Sequence, residues 1–239
     1  MESKGYNYEE IPFGYYDLIH EEKSTRSNWH RCKFKEVEKI ISSSGKHFDT
    51  ILDYGCGPGT FLGRYLKDIE AKKFGVDLSK VQIAYARETF GTSISFFSTE
   101  SFDVANAKFD LIIAIEFIEH ITLNESKLFL DNCYKNLKSG GMLIMTTPNY
   151  KGLWPIIEKM TDLIFDTKYH QQHLTRYDKS TLSRVVIDSN FKVENVSTIL
   201  GVQTFTQFSN FFLKGISSFI DKFIIKDNKF LLFIVATKP

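Results

Sequence analysis

The segment that most narrows the fold is Asp53-Tyr54-Gly55-Cys56-Gly57-Pro58-Gly59, which follows a short apolar strand, Thr50 to Asp53, and opens a helix-patterned run. Its glycines allow a tight turn and let a ligand approach backbone N–H groups at the start of a helix. The next apolar strand, Lys73 to Asp77, ends in a carboxylate able to accept hydrogen bonds from both hydroxyls of a ribose. The two features make one βαβ unit shaped around a nucleoside. A dinucleotide fingerprint would place its last glycine where Thr60 stands, so the spacing disfavours a nicotinamide dinucleotide.

The chain beyond this unit repeats the alternation. Ser79 caps a helix running to about Thr89, Ser93 to Phe97 and Phe109 to Ile115 read as strands, and Asn124 to Leu137 reads as a helix. Ser139-Gly140-Gly141 stops that helix before a strand from Met142 to Thr147. A helix from Ser180 to Asp188 and strands from Phe191 to Thr198 and Phe230 to Thr237 complete the series. Such a pattern predicts the α/β class, a mostly parallel sheet with helices on both faces.

At 239 residues, 43% of them hydrophobic, the chain is expected to be a single domain over residues 1–239. Its formal charge of +1 supplies no global field for nucleic acid or anionic lipid. Cys32, Cys56 and Cys133 are odd in number and far apart, as free thiols of a reducing compartment would be. Neither a secretory leader nor a membrane-length apolar run is visible, so a cytoplasmic location is expected.

Four ordered stretches carry a family resemblance: Ile51 to Gly59, Gly75-Val76-Asp77-Leu78-Ser79, Phe109 to His120, and Leu137-Lys138-Ser139-Gly140-Gly141. They resemble the motifs of class I S-adenosylmethionine-dependent methyltransferases. The resemblance implies a Rossmann-like, seven-stranded sheet whose last strand, here Phe230 to Thr237, runs antiparallel. It implies S-adenosyl-L-methionine as cofactor and S-adenosylhomocysteine as product. Asp53, Gly55, Gly57 and Gly59 would surround the methionine portion, Asp77 would hold the ribose and Leu78 would pack on the adenine. Thr99 and Glu100 would lie near the adenine edge, and Ile115 and Glu116 would face the methyl donor.

Glu116, Glu119 and His120 have i, i+3, i+4 spacing, which on a helical turn projects all three from one face. Two carboxylates and an imidazole suit a divalent metal, and a later histidine could complete the set. This Glu-x-x-Glu-His pattern resembles the metal-binding element of small-RNA 2′-O-methyltransferases and of ubiquinone-pathway O-methyltransferases. In the former a histidine after a Thr-Pro-Asn turn joins the metal; here Thr147-Pro148-Asn149 is followed by His170 and His173, of which His173 is preferred. The alternative leaves Glu119 and His120 ordering the loop through hydrogen bonds, with no metal. Methyl transfer is an in-line displacement that needs a base only to take a proton from a hydroxyl, and His173 or His120 is the catalytic candidate.

Residues 1–41, 149–177 and 201–226 stand outside the alternation and are expected to form a lid or acceptor pocket. Tyr6, Tyr8, Phe13, Tyr15, Tyr16 and Trp29 enrich the first, ahead of a helix from Lys33 to Ile41. In the third, Phe205, Phe208, Phe212, Ile216, Phe219 and Phe223 recur as on one amphipathic helix. That face would pack on the core or on a second copy in an oligomer, line an acceptor pocket, or lie on a membrane surface. Asn149 to Pro155 and Gln172 to Tyr177 resemble bacterial methyltransferases of surface-polysaccharide and lipid-linked glycan synthesis, implying a small, sugar or lipid-linked hydroxyl acceptor. Nucleic acid is not the expected partner. Two rival readings stand beside this one: a metal-assisted RNA 2′-O-methyltransferase, which the near-neutral charge opposes, and a non-catalytic S-adenosylmethionine-binding module.

Overall fold

The computed structural model describes residues 10–102, 108–165, 169–206 and 211–239. Tyr6, Tyr8 and Phe208 lie outside the described residues, as do the side chains of His170 and Phe212. The chain opens with α1 (Tyr15–Leu18) and α2 (Thr25–Ser43), and then enters β1 (Thr50–Tyr54), β2 (Lys72–Asp77), α3 (Lys80–Phe90) and β3 (Ile94–Ser98). It continues through β4 (Phe109–Ile115), α4 (Leu123–Asn136), β5 (Leu137–Pro148), α5 (Trp154–Phe165) and α6 (Tyr169–Gln172). The last elements are α7 (Lys179–Asp188), β6 (Lys192–Ile199), α8 (Phe211–Phe219) and β7 (Leu231–Thr237).

The seven strands form one sheet in the order β3-β2-β1-β4-β5-β7-β6, with β7 antiparallel to both neighbours and the other pairs parallel. Successive strand residues point to opposite faces, and both faces here are covered. Ile113, Ile144 and Phe233 pack with Val37 and Ile41 of α2 and Ile83 of α3. Their neighbours Ile112, Leu143 and Ile234 pack with Leu130 of α4 and with Leu182 and Val186 of α7. Each such side chain contributes about 1.5–3 kcal/mol of burial, so the sheet is a rigid floor. Strand order reverses between β1 and β4, and the crevice beyond their carboxyl ends is where ligands of open α/β sheets bind.

The helix starts follow their caps. The Ser24 hydroxyl accepts from the Ser27 N–H at the head of α2, and the Ser79 hydroxyl from the Gln82 N–H at α3. α2 thus begins well before the predicted Lys33. Three other expectations are corrected. The predicted helix from Thr60 is only a wide π-helical turn, Phe61–Tyr65, closed by the Leu66 N–H donating to the Phe61 carbonyl at 3.2 Å, with Gly63 lowering helix propensity in its middle. Gly140 and Gly141 do not stop α4, which ends at Asn136; they form a bulge in β5, where pairing jumps from Leu137↔Phe109 to Met142↔Leu111. The Phe-rich segment is not one helix: a 3₁₀ turn at Val202–Phe205 precedes α8, and a π-helical turn at Ile220–Ile224 follows it.

The second irregular region is an excursion closed at its neck. Asn149 bridges Tyr177, the Tyr150 N–H donates to the Tyr177 carbonyl at 2.9 Å, and the buried Tyr177 hydroxyl donates to Ser126 on α4. Among the described residues the three cysteines are free, and no helix is long and apolar enough to cross a membrane.

Candidate active site

A cavity of about 1650 Å³ opens at the switch point. One end is made by the glycine turn. The Gly55 and Cys56 N–H groups donate to the Val76 carbonyl at 2.7 and 3.1 Å, which ties the turn to the tip of β2. The Asp77 carboxylate then accepts from the Gly57 N–H at 2.8 Å and from the Ser79 N–H at 2.9 Å. These bonds fix the carboxylate at the mouth of the cavity. Asp53 is buried beneath it, and burial, with Asp77 close by, pushes its carboxyl up to about 8.

Of the residues expected on the cofactor, Asp53, Gly55, Gly57, Asp77, Leu78, Thr99, Glu100, Ile115 and Glu116 line the cavity. Gly59 lies behind the wall instead: its φ is +77°, and a Cβ there would sit 2.7 Å from the Phe96 ring, so it serves close packing of the turn against β3. Glu100 is exposed and pairs with Lys80 at 2.8 Å.

The opposite end is made by side chains from distant segments. Ile118–His120 forms a 3₁₀ turn after β4, bringing Glu119 and His120 to the cavity, while His173 arrives from the excursion that contains α5 and α6. One ligand atom from each of Glu119, His120 and His173 lies within 4.8 Å of the others. Glu119 is 1% exposed. Its Oε2 accepts from the Thr147 hydroxyl at 2.9 Å, its Oε1 has no partner among the described residues, and burial pushes the carboxyl up to about 7. Burial, reinforced by neighbouring His173, pushes His120 down to about 3.

Hydrogen bonding sets the histidine tautomers. The Tyr150 hydroxyl donates its single proton to Glu158 at 3.0 Å, so at 2.8 Å from His173 Nδ1 it acts as acceptor. Nδ1 of His173 therefore carries hydrogen and the lone pair is on Nε2. The Gln172 carbonyl, 3.2 Å from His120 Nδ1, imposes the same tautomer there. Burial raises the Glu158 carboxyl, but hydrogen bonds from His173 and Tyr150 outweigh it and hold Glu158 below its ordinary range.

Glu116 does not join this group. Its backbone at φ 50° ends β4 before the turn begins, so the helical spacing with Glu119 and His120 is broken. The Glu116 carboxylate instead pairs with Lys33 of α2, which is 4% exposed, while the Glu116 N–H donates to the Thr146 carbonyl at 3.0 Å. Lys33 Nζ also lies 3.3 Å from His30 Nδ1. Sequence reasoning missed Lys33, although Trp29, Lys33, Val37 and Ile41 recur every fourth residue and all are buried on α2. That stripe was the signal, since a lysine inside an apolar stripe is buried only when paired. Trp29, Trp154, Ile157 and Phe205 add an apolar wall, with Trp29 stacked on Phe205 at 5.6 Å and tilted against Trp154 at 5.7 Å.

Residues 26–196 match the family model described as a methyltransferase domain. The ubiquinone biosynthesis O-methyltransferase of Nitrobacter winogradskyi is 38% identical over 104 residues, covering 41% of this chain and 38% of that enzyme. The enzyme of the same name from a Bradyrhizobium strain is 35% identical over 104 residues, covering 41% of this chain and 40% of its own length. The chain thus spans about two fifths of the length of these curated relatives. Among solved structures, magnesium protoporphyrin IX methyltransferase from Synechocystis, with bound S-adenosylhomocysteine, superposes with a TM-score of 0.63 at 13% identity, covering 94% of this chain and 93% of that one. The chain belongs to the methyltransferase-domain family and carries the class I, Rossmann-like fold of S-adenosylmethionine-dependent methyltransferases.

Proposed function

We propose that this protein transfers the methyl group of S-adenosyl-L-methionine to a hydroxyl of a small, sugar or lipid-linked acceptor. The observation that carries the reading is that one cavity joins the Asp77-tethered glycine turn to the Glu119, His120 and His173 group. In this reading Asp77 holds the ribose, Leu78 and Thr99 flank the adenine, and the methyl group points from the Asp53 side toward Ile115 and Glu116. That these relatives are O-methyltransferases supports oxygen as the methylated atom. The wall of Trp29, Trp154, Ile157 and Phe205 supports an acceptor with a substantial apolar part.

The acceptor oxygen attacks the methyl carbon in line, the carbon–sulfur bond breaks as the carbon–oxygen bond forms, and the sulfonium leaves as neutral S-adenosylhomocysteine. The hydroxyl proton goes to Nε2 of His173, whose orientation Tyr150 and Glu158 fix. At a pKa of about 3 His120 is too weak a base for this and serves to position the acceptor. Water exclusion by the aromatic wall and alignment of the attacking oxygen with the methyl carbon and the sulfur supply the remaining acceleration.

Glu119, His120 and His173 also suit a divalent metal, because the buried Glu119 Oε1 has no partner among the described residues and two imidazoles with one carboxylate form a familiar donor set. When bound, the metal would lower the pKa of an acceptor hydroxyl. Calorimetry with S-adenosylmethionine, followed by incubation with labelled methyl donor and a panel of hydroxyl acceptors, tests the reading. Methyl ether and S-adenosylhomocysteine in equal amounts are expected. Binding of the donor without any turnover on a cell extract would leave a non-catalytic module instead. Titration of the protein with Mn²⁺ or Zn²⁺, read by heat and by proton release, tests the metal apart from activity.

A further inference from the structure

We infer that α5 and α8 dock the protein on an anionic lipid bilayer, so that the acceptor end of the cavity opens beside the membrane surface. On α5, Ile156, Met160 and Leu163 share one face and stay exposed, Leu163 at 87%. Along α8 and the turn after it, Leu213, Ile216, Phe219 and Phe223 do the same, Phe223 at 63%. Scattered exposed apolar residues need no explanation, but two helical stripes of them do.

The charges on both segments say what covers them. On α5 the buried Glu158 turns inward to Tyr150 and His173, and Asp162 is half-buried, while Lys159 is exposed. On α8 and the turn after it Asp221 turns inward, where its carboxylate accepts from the Val202 and Gln203 N–H groups at 2.6 and 2.9 Å, while Lys214 and Lys222 are exposed; past the turn the exposed Asp227 is paired with Lys179 at 3.6 Å. Each segment therefore withdraws its acids and presents apolar side chains rimmed by lysine, the complement of anionic headgroups over acyl chains. Ser217, bonded to Thr206 at 2.6 Å, fixes which side of α8 faces the body.

α5 borders the acceptor end directly, and α8 follows a 3₁₀ turn, Val202–Phe205, that does so through Phe205. Trp154 and Ile157 of α5 line the cavity, as does Phe205, and Trp29 touches both Trp154 and Phe205. Docking would bring a lipid-linked hydroxyl to that wall without passage through water. The delivery role rests on the proposed acceptor class; the docking itself does not, and it is measured without turnover.

The test is co-sedimentation of the full chain, without cofactor, with vesicles of two parts phosphatidylcholine to one part phosphatidylglycerol. Binding is expected there and should be much weaker on phosphatidylcholine alone. Leu163→Asp and Phe223→Glu should each reduce binding about tenfold or more, and Lys159→Glu or Lys222→Glu about fivefold. Circular dichroism and calorimetry with S-adenosylmethionine should be unchanged in all four, since none of these side chains lines the cavity. No binding to either vesicle would overturn the proposal. So would a dimer in sedimentation velocity that Leu163→Asp and Phe223→Glu dissociate, because the stripes would then meet a second copy. Vesicle binding with failed methyl transfer would instead count against the acceptor reading alone.

Discussion

At the end of the cavity assigned to the methyl donor, polar contacts come from the backbone of one βαβ unit, with Asp77 held by Gly57 and Ser79 N–H groups. At the acceptor end they come from side chains of α2, the tip of β4 and the excursion after β5: Lys33, Glu119, His120 and His173. The first end is local in sequence and needs little tertiary support. The second exists only once distant segments have packed, and it gathers buried titratable groups, so pH and single substitutions should act mainly there.

The largest effect should come from His173→Ala, which we expect to lower turnover by roughly 10² to 10⁴ while donor affinity stays unchanged. A variant that binds donor and turns over at the normal rate would make His173 structural. Next, Lys33→Met leaves Glu116 without its partner and should cost about 3 kcal/mol in denaturant unfolding, with part regained in Lys33→Met/Glu116→Gln. Additive losses in that cycle would dissolve the idea that the pair acts as a unit.

Glu119 should give a somewhat smaller, pH-dependent effect. Its folded pKa of about 7 stands above its ordinary 4.5, so the fold keeps an extra proton between those values. The stability this lends is complete below about pH 4.5 and disappears as pH rises through 7. Asp53, raised to about 8, slopes the same way, so the informative curve is wild type minus Glu119→Gln. That difference should amount to about 2–3 kcal/mol across the window; a flat difference would mean Glu119 is ionised throughout. The smallest effect belongs to the donor end. Asp77→Ala should weaken S-adenosylmethionine by about tenfold to a hundredfold in calorimetry, and equal affinity would remove Asp77 from the ribose.

The same contrast governs what could be read from the chain alone. The glycine turn, Asp77, the capped α3 and the buried strands follow local rules of period, capping and turn chemistry, and the order of motifs supplied the sheet. Glu116 was placed with Glu119 and His120 because their spacing fits a helix, yet the left-handed backbone of Glu116 lies outside such a turn. Its true partner, Lys33, is 83 residues away and reads locally as one more surface lysine. The Phe-rich segment misled for a related reason. Helical spacing cannot register the break after Phe205, where that ring turns onto Trp29 and Phe230 while Phe219 and Phe223 turn outward.

The closed neck of the excursion has an evolutionary corollary. With Asn149 and Tyr177 bridged, the ends of residues 150–176 are held at a fixed separation whatever lies between them. Lengthening or shortening the piece then changes mainly its loop-closure entropy, which grows only slowly with length, and leaves β5 in register with β7. Because His173, Trp154 and Ile157 all ride on that piece, the proposed reading makes it an exchangeable cassette: grafting it between homologous scaffolds should transplant acceptor choice together with the histidine proposed to accept the proton.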